Sequence, residues 1–185
     1  MDSTNINKML INIAKGAIYD KLYGANTIDK DDIVKKIPNL AKLAATFVTL
    51  TIDGELRGCI GTLVPNKAML DDILINSQKA AFDDPRFDPL TKEEFEKIEV
   101  EISLLSPALE VKYQNFADLK TKIDIGHDGV IIRQGDKRAT FLPQVWEQLP
   151  TFDQFFTHLF HKAGITDIEE YIEVFVYKVE KISEE

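Results

Sequence analysis

The sequence predicts an α+β fold with a mixed, mainly antiparallel sheet and flanking helices. The strand pairing follows from two dipeptides, Asp53-Gly54 and Gly135-Asp136, each of which lies between two runs rich in β-branched and apolar residues. Such dipeptides between strand-like runs are the strongest short signal of a β-hairpin. Around both hairpins, apolar residues recur at helical spacing. Helices combined with antiparallel hairpins in one chain are typical of the α+β class.

The first half of the chain begins with two predicted helices. Residues 6–23 show helical spacing of apolar residues, and Gly24 is placed to end that helix. Residues 29–37 form a short second helix, with Asp29 as its N-cap. After the first hairpin, residues 67–82 return to helical spacing.

A loop and a short helix connect this region to the next strand. Residues 83–90 contain two prolines, which forbid regular structure there. Thr91 and Glu94 have the spacing of a capping box, so a short helix begins at this point. Residues 98–105 alternate apolar and polar side chains and predict a strand.

The second half repeats the mixture of helices and strands. Residues 116–123 predict a short helix, and residues 129–133 and 138–142 are the two strands of the second hairpin. Residues 152–163 carry phenylalanines at helical spacing, which favours a helix packed on a core. Residues 171–182 alternate throughout and predict one long strand.

Composition and charge limit the classes of function. The chain has 185 residues, 44% of them apolar, which is enough for a core without disulfides or metals. Its single cysteine excludes an intrachain disulfide and favours a cytoplasmic location. Residues 1–10 lack the pattern of a signal peptide, and no apolar run reaches the ~20 residues of a membrane span.

The net charge of −9 is unevenly distributed. Residues 93–185 carry 10 basic and 19 acidic side chains, whereas residues 1–92 carry 12 of each. An acidic half repels a polyanion, so the sequence disfavours a nucleic-acid partner.

The heptapeptide LRGCIGT, residues 56–62, contains the only cysteine, Cys59. Cys59 is a candidate nucleophile or redox thiol if Arg57 favours its thiolate, and a small buried strand residue is the alternative. Residues two apart on a strand share a face, so Arg57 and Cys59 are expected to be neighbours. Gly58 and Gly61 either turn backbone N–H groups toward a ligand or mark a β-bulge or a tight strand crossing.

The loop sequence DDPRF, residues 83–87, offers a second group of candidates. Arg86 is suited to hold a carboxylate or phosphate, and Asp84 to act as a general base. The alternative is an internal Asp–Arg network that stiffens the proline loop.

The histidines predict no metal centre. His158 and His161 share a helical face, but no further ligand lies at a suitable spacing, and no cofactor is predicted either. His127, beside Asp128, is either a general acid or base or an ordinary turn residue.

The segment TFLPQVWEQLP, residues 140–150, has two interpretations that the sequence leaves open. Phe141, Pro143 and Trp146 form either an apolar rim for a ring or a peptide, with Gln144 as a polar contact, or part of a core. In the second case a helix begins at Pro143.

Four motifs, in their order along the chain, resemble the AMMECR domain family, which is called AmmeMemoRadiSam system protein A in bacteria and archaea. The matching segments are LRGCIGT (56–62), AAFDDPRF (80–87), GHDGVIIR (126–133) and TFLPQVWEQLP (140–150). The resemblance implies a single domain, residues 1–185, with two unequal lobes and a cleft between them. It also implies Memo-like and radical-SAM proteins as partners, and no agreed reaction.

We carry the family motif positions over to this chain as predicted site residues. The candidate catalytic residues are Cys59 and Asp84. The predicted ligand-binding residues are Arg57, Gly58, Gly61, Pro85, Arg86, Phe87, Asp128, Phe141, Pro143, Gln144 and Trp146. One candidate occupant is a small anionic ligand, which Arg57 and Arg86 are suited to hold.

Two classes of function therefore remain. One is an enzyme, or an enzyme component working with a radical-SAM partner, in which Cys59 or Asp84 supplies thiol or acid–base chemistry. The other is a non-catalytic adaptor that binds protein partners, with Trp146, Phe87 and Phe141 as anchors. The sequence has no complete Ser/His/Asp set and no phosphate loop, which motivates the adaptor alternative.

Overall fold

The computed structural model describes residues 3–184, and it has the α+β fold that the sequence predicts. The helices are α1 (Ser3–Tyr23), α2 (Lys30–Lys36), α3 (Met69–Phe82), α4 (Lys92–Phe95), α5 (Phe116–Lys122) and α6 (Phe152–Ala163), with 3-10 helices at Pro38–Ala41 and Pro143–Glu147. The strands are β1 (Leu43–Ile52), β2 (Glu55–Gly61), β3 (Lys67–Ala68), β4 (Glu99–Leu105), β5 (Leu109–Glu110), β6 (Gly129–Gln134), β7 (Lys137–Phe141), β8 (Glu173–Tyr177) and β9 (Val179–Ser183).

The chain divides into two compact units. Among the described residues, 3–105 and 180–184 belong to unit 1, and Ser106–Val179 form unit 2. Every strand pairing whose register is described is antiparallel. None of the helices within residues 3–184 is long and apolar enough to cross a bilayer.

Unit 1 packs helices on one face of a five-stranded sheet. The strand order is β2-β1-β4-β9, and β3 pairs with one end of β1. Helices α1 and α3 contact each other and the sheet. Val48 and Leu50 alternate along β1 toward this face and are fully buried, as are Ile18 of α1 and Ile73 of α3. Alternation along β1 therefore directs Thr49 to the opposite face.

Local signals in the sequence fix the ends of several unit 1 elements. The first hairpin turn has φ of 53° at Asp53 and 80° at Gly54, the two positive values that a type I′ turn requires. The Asp29 side chain accepts a hydrogen bond from the Asp32 N–H and caps α2. Both hydrogen bonds of the Thr91–Glu94 capping box are present at α4. These predictions are confirmed.

Unit 2 packs α6 on a four-stranded sheet with the order β5-β8-β6-β7. The second hairpin joins β6 to β7, and Gly135 in its two-residue turn has φ 59°. The aromatic face of α6 is core, as its spacing predicts: Phe155 and Leu159 are fully buried. The helix ends at Gly164, whose left-handed conformation is typical of a C-cap.

The prediction of one long strand over residues 171–182 is wrong. The structure has two strands, β8 in the sheet of unit 2 and β9 in the sheet of unit 1, separated at Lys178. The Lys178 N–H donates to Ser106 Oγ at 2.8 Å, and the Lys178 carbonyl accepts from the Ser106 N–H at 2.9 Å. An alternating pattern reports a strand conformation, but it does not report which sheet each part of the strand joins.

Candidate functional site

Cys59 lies on β2, at an edge of the unit 1 sheet, and its backbone is held by two side chains. Its N–H donates to Asp84 Oδ2 at 2.9 Å, and its carbonyl accepts from Arg86 Nη2 at 3.2 Å. A neighbouring strand would normally satisfy these outward-facing groups. The loop after α3 therefore caps the sheet edge with an Asp–Arg pair in place of a strand.

The Asp84 carboxylate is fully engaged by this arrangement. Its side chain is 2% exposed, and it accepts hydrogen bonds from the N–H groups of Cys59 and Arg86 and from Arg86 Nε and Nη2, the last at 2.7 Å. The Arg86 side-chain hydrogen bonds hold the pKa of Asp84 well below its usual range, and the two backbone N–H groups lower it further against the opposing effect of burial. A carboxylate so stabilised is a poor proton acceptor. The geometry supports the internal-network interpretation of this loop over a general base.

Cys59 is half-buried, and among the described residues its sulfur has one hydrogen-bond partner. Thr49, directly opposite on β1, donates its hydroxyl to Cys59 Sγ at 3.3 Å. Both residues belong to the sheet face opposite the one covered by α1 and α3. The backbone of Cys59 is thus fixed while its sulfur stays largely uncommitted.

Arg57 pairs with a different carboxylate, that of Glu94. Its Nε and Nη2 each donate to the Glu94 carboxylate at 2.9 Å, and Nη2 also donates to the Asp88 carbonyl at 2.9 Å. The hydrogen bonds from Arg57, more than that from the Thr91 N–H, lower the pKa of Glu94 to about 2. The Arg57 side chain is 12% exposed, and its Nη1 is buried with no hydrogen-bond partner among the described residues.

The expectation that Arg57 and Cys59 are neighbours on one face is corrected by a β-bulge. Leu50 pairs with Gly58 and Thr51 pairs with Leu56, so Arg57 is left without a partner in the register. Simple alternation does not hold across such an extra residue. The guanidinium of Arg57 is engaged with Glu94, and so the support for a thiolate that the sequence suggested is absent from this pair.

Gly58 and Gly61 are sites of close packing. A Cβ on Gly58 would lie 2.1 Å from the Ala80 carbonyl oxygen of α3, and a Cβ on Gly61 would lie 2.1 Å from the ring of Phe47. The space beside both glycines is therefore filled by the protein itself. This geometry supports the bulge and tight-crossing interpretation over a ligand cradle.

Phe87 connects the two arginines. Its half-buried ring lies 5.6 Å from the guanidinium carbon of Arg57 and 5.6 Å from that of Arg86. Pro85, between the two halves of the Asp–Arg pair, is exposed. In unit 1 the structure therefore brings together Arg57, Gly58, Cys59, Gly61, Asp84, Pro85, Arg86 and Phe87.

Sequence reasoning missed a buried polar network at the end of the LRGCIGT motif. Asp72 of α3 is 1% exposed and accepts from the Thr46 N–H, from the hydroxyls of Thr46 and Thr62 at 2.8 and 2.7 Å, and from Asn76 Nδ2. The network ties Thr62 to the helix that Gly58 touches. Its signal was present in the sequence, because Asp72 and Asn76 are four residues apart within the apolar stripe that includes Ile73.

In unit 2, Asp128 is buried, and its side chain and carbonyl contact three other residues. Its Oδ2 accepts from the Asp124 N–H at 2.8 Å, and its Oδ1 lies 2.9 Å from Lys178 Nζ. Its carbonyl accepts from Trp146 Nε1 at 2.8 Å. His127 Nδ1 lies 3.1 Å from Asp124 Oδ1, at the exposed end of the same turn.

The TFLPQVW segment combines core and surface residues. Trp146 is 4% exposed and stacks on Phe155 with ring centroids 3.6 Å apart, so it packs in the unit 2 core and presents no aromatic anchor at the surface. Phe141 and Pro143 are half-buried, and Gln144 is exposed. Within residues 3–184, no group of three or more His, Cys, Asp or Glu side chains is arranged to hold a metal ion.

Comparisons with known proteins identify the family. The AMMECR1 family model matches residues 11–182. The chain belongs to the AMMECR1 family. A Methanothermobacter thermautotrophicus relative of this AMMECR1 protein is 33% identical over 88% of the chain and 84% of its own length. Protein MK0488 of Methanopyrus kandleri is 31% identical, over 96% and 88%. The crystal structure of PH0010 from Pyrococcus horikoshii superposes with a TM-score of 0.77 at 28% identity, over 94% of this chain and 88% of that one.

Proposed function

We propose that this AMMECR1 protein is a ligand-binding component of an enzyme system, in which the Cys59 thiol is the reactive group. In this proposal the free part of the Arg86 guanidinium holds an anionic group of the ligand. The single observation that carries the proposal is the way Cys59 is presented. Its outward backbone N–H and carbonyl are held by Asp84 and Arg86, while its sulfur receives only the Thr49 hydroxyl among the described residues.

A fixed backbone with an available side chain is the arrangement that a functional thiol needs. Positioning by a rigid surrounding shell reduces the cost of reaching a productive geometry. Thr49 donates its hydroxyl to the sulfur from the neighbouring strand and so orients the side chain as well.

Arg86 supports the anionic character of the ligand. Its side chain is 53% exposed, and Nε and Nη2 are used by Asp84 and the Cys59 carbonyl. Nη1 has no partner among the described residues, so two N–H donors remain for a carboxylate or phosphate beside the cysteine. Asp84 has no comparable free capacity, and we therefore assign it a positioning role.

The proposal is tested by comparing two alkylating reagents that differ in charge. Cys59 is the only thiol in the chain, so its reaction with neutral iodoacetamide and with anionic iodoacetate is measured without interference. If Arg86 attracts an anionic group to the thiol, the ratio of the iodoacetate rate to the iodoacetamide rate is higher in the native protein than in the urea-unfolded chain. We expect Arg86→Gln to lower that ratio by about threefold or more and Arg86→Lys to preserve part of it.

Arg133 provides a matched control. It is a similarly exposed arginine, also bidentate to a carboxylate, but it belongs to unit 2. Arg133→Gln is expected to leave the rate ratio unchanged. Equal ratios in wild type and Arg86→Gln, or a native thiol far less reactive than the unfolded one with both reagents, would contradict the proposal.

The adaptor remains the alternative proposal, and a shielded thiol in that experiment would favour it. The half-buried Phe87 ring supports it as an anchor, whereas Trp146 is already packed in a core. In either case the family resemblance suggests Memo-like and radical-SAM proteins as partners, and the single cysteine favours a cytoplasmic setting. The ligand-binding roles of Asp128, Phe141, Pro143 and Gln144 in unit 2 stay predictions.

A further inference from the structure

We propose that the open edge of β7 in unit 2 binds an acidic, extended peptide segment of a partner protein, which adds to the sheet as a fifth strand. Strand addition of this kind uses main-chain hydrogen bonds for affinity and side chains for selection. The proposal concerns unit 2 alone and does not depend on the chemistry proposed for Cys59.

Strand β7 is the last strand in the order β5-β8-β6-β7, so one of its sides is unpaired. The two-residue turn makes Gln134 and Lys137 the first hydrogen-bonded pair of the hairpin, and hydrogen-bonded pairs recur at every second position. Arg138 and Thr140 lie between those pairs. Their backbone N–H and C=O groups therefore point away from β6, toward the open side.

The open side of β7 is only partly satisfied. Lys162 Nζ of α6 donates to the Thr140 carbonyl at 3.0 Å. No described residue outside the hairpin accepts from the N–H groups of Arg138 and Thr140 or donates to the Arg138 carbonyl. The contrast with Cys59 on β2 is direct, since there both outward groups are taken by side chains.

The charge at this edge indicates the kind of peptide. Lys137 and Arg138 are exposed, Lys162 reaches the edge from α6, and Asp136 is the only acidic residue in the segment 135–141. This basic edge lies in the half of the chain that carries the whole net charge of −9. Basic residues on an edge discourage neutral and basic strands, and by the same field they favour an acidic one.

The experiment uses a defined probe, a fluorescein-labelled peptide of alternating Glu and Val residues, titrated into the full chain at low and at physiological salt. A second peptide of the same Glu/Val sequence, with every backbone nitrogen methylated, has the same side chains and charge but lacks the N–H groups that strand pairing needs. We expect the Glu/Val peptide to bind at least about tenfold more tightly than the N-methylated peptide. In hydrogen exchange measured by NMR, the peptide is expected to slow exchange of the Arg138 and Thr140 amides.

Two charge-reversal variants locate the site. Arg138→Glu is expected to weaken binding of the Glu/Val peptide by about tenfold, because an attractive charge becomes repulsive at the edge. Lys112→Glu makes the same charge change elsewhere in unit 2, at an exposed lysine, and is expected to change the affinity less than about twofold. Equal binding of both peptides, or equal effects of both variants, would overturn the proposal. It would also be overturned if wild type were a dimer that Arg138→Glu dissociates, because a second copy would then occupy the edge.

Discussion

Each unit contains an exposed arginine that pairs bidentately with a carboxylate, and the two pairs are alike in the exposure of the arginine and in its contact with an aromatic ring. In unit 1, Arg86 pairs with Asp84, and in unit 2, Arg133 pairs with Glu173. The arginine side chains are 53% and 49% exposed, and each guanidinium carbon lies 5.6 Å from the centroid of a phenylalanine ring. The carboxylates differ, because Asp84 is 2% exposed and Glu173 is 34% exposed.

The difference in carboxylate burial distinguishes two kinds of ion pair: Asp84 with Arg86 is a structural pair, and Glu173 with Arg133 is a surface pair. Arg133 and Glu173 are opposite each other on β6 and β8, whose backbones are already paired in the sheet. Asp84 and Arg86 instead satisfy the backbone of an edge strand that has no neighbour on that side. The same chemical pair therefore adds little where the sheet is complete and supports the fold where the sheet ends.

The strongest test of this contrast is neutralisation of each carboxylate. Asp84→Asn turns an amide toward donors that all require an acceptor, so we expect the free energy of unfolding to fall by about 3 kcal/mol. Glu173→Gln is expected to change it by much less. Urea unfolding at neutral pH, followed by far-ultraviolet circular dichroism, measures both variants. Equal losses for the two variants would show that burial of the carboxylate does not set the strength of the pair.

A second comparison concerns two glycines, Gly58 and Gly135, whose replacement by alanine is expected to lower stability for different physical reasons. Gly58→Ala would place its Cβ 2.1 Å from the Ala80 carbonyl, a backbone atom within a helix, so we expect a loss of about 2 kcal/mol. Gly135→Ala meets no atom within 4 Å and suffers only from φ 59°, so a loss of about 1 kcal/mol is expected. The same urea experiment ranks them. A Gly58→Ala variant as stable as wild type would show that α3 and β2 can separate at this contact.

Sequence patterns predicted the local structure of both units well. Hairpin turns, helix caps and the aromatic face of α6 depend on residues close together in the chain, and the structure confirms them. The family and the α+β class also followed from motifs that could be read directly. The arrangement as one domain of two lobes stays a prediction.

The features that the sequence did not predict depend on contacts between residues that are far apart in the chain. The bulge at Arg57 arises because β2 must pair with β1 while Gly58 fits against α3, and neither constraint is local. The same holds for Asp84, whose role is set by a strand 25 residues earlier in the chain. The end of β8 at Lys178 is decided by Ser106, far away in sequence.

The smallest expected effect is a difference in how stability depends on pH between two arginine-paired carboxylates of unit 1, Glu94 and Asp84. Glu94, paired with Arg57, has its pKa lowered from 4.5 to about 2, so its contribution to stability is present above about pH 4.5 and is lost as the pH falls toward about 2. The urea midpoints of wild type and Glu94→Gln are therefore expected to differ at neutral pH and to converge as the pH approaches about 2.

Asp84 follows the same sign but at lower pH, because its pKa is depressed further by Arg86 and by two backbone N–H groups. The difference between wild type and Asp84→Asn should consequently persist at the acidic end, where the Glu94→Gln difference has vanished. Measuring the urea midpoints of all three proteins across this pH range distinguishes the Arg57–Glu94 pair from the Asp84–Arg86 pair. If both differences disappeared over one pH interval, the two carboxylates would be titrating as a single unit, and the edge of β2 would owe its stability to Arg57 and Arg86 together.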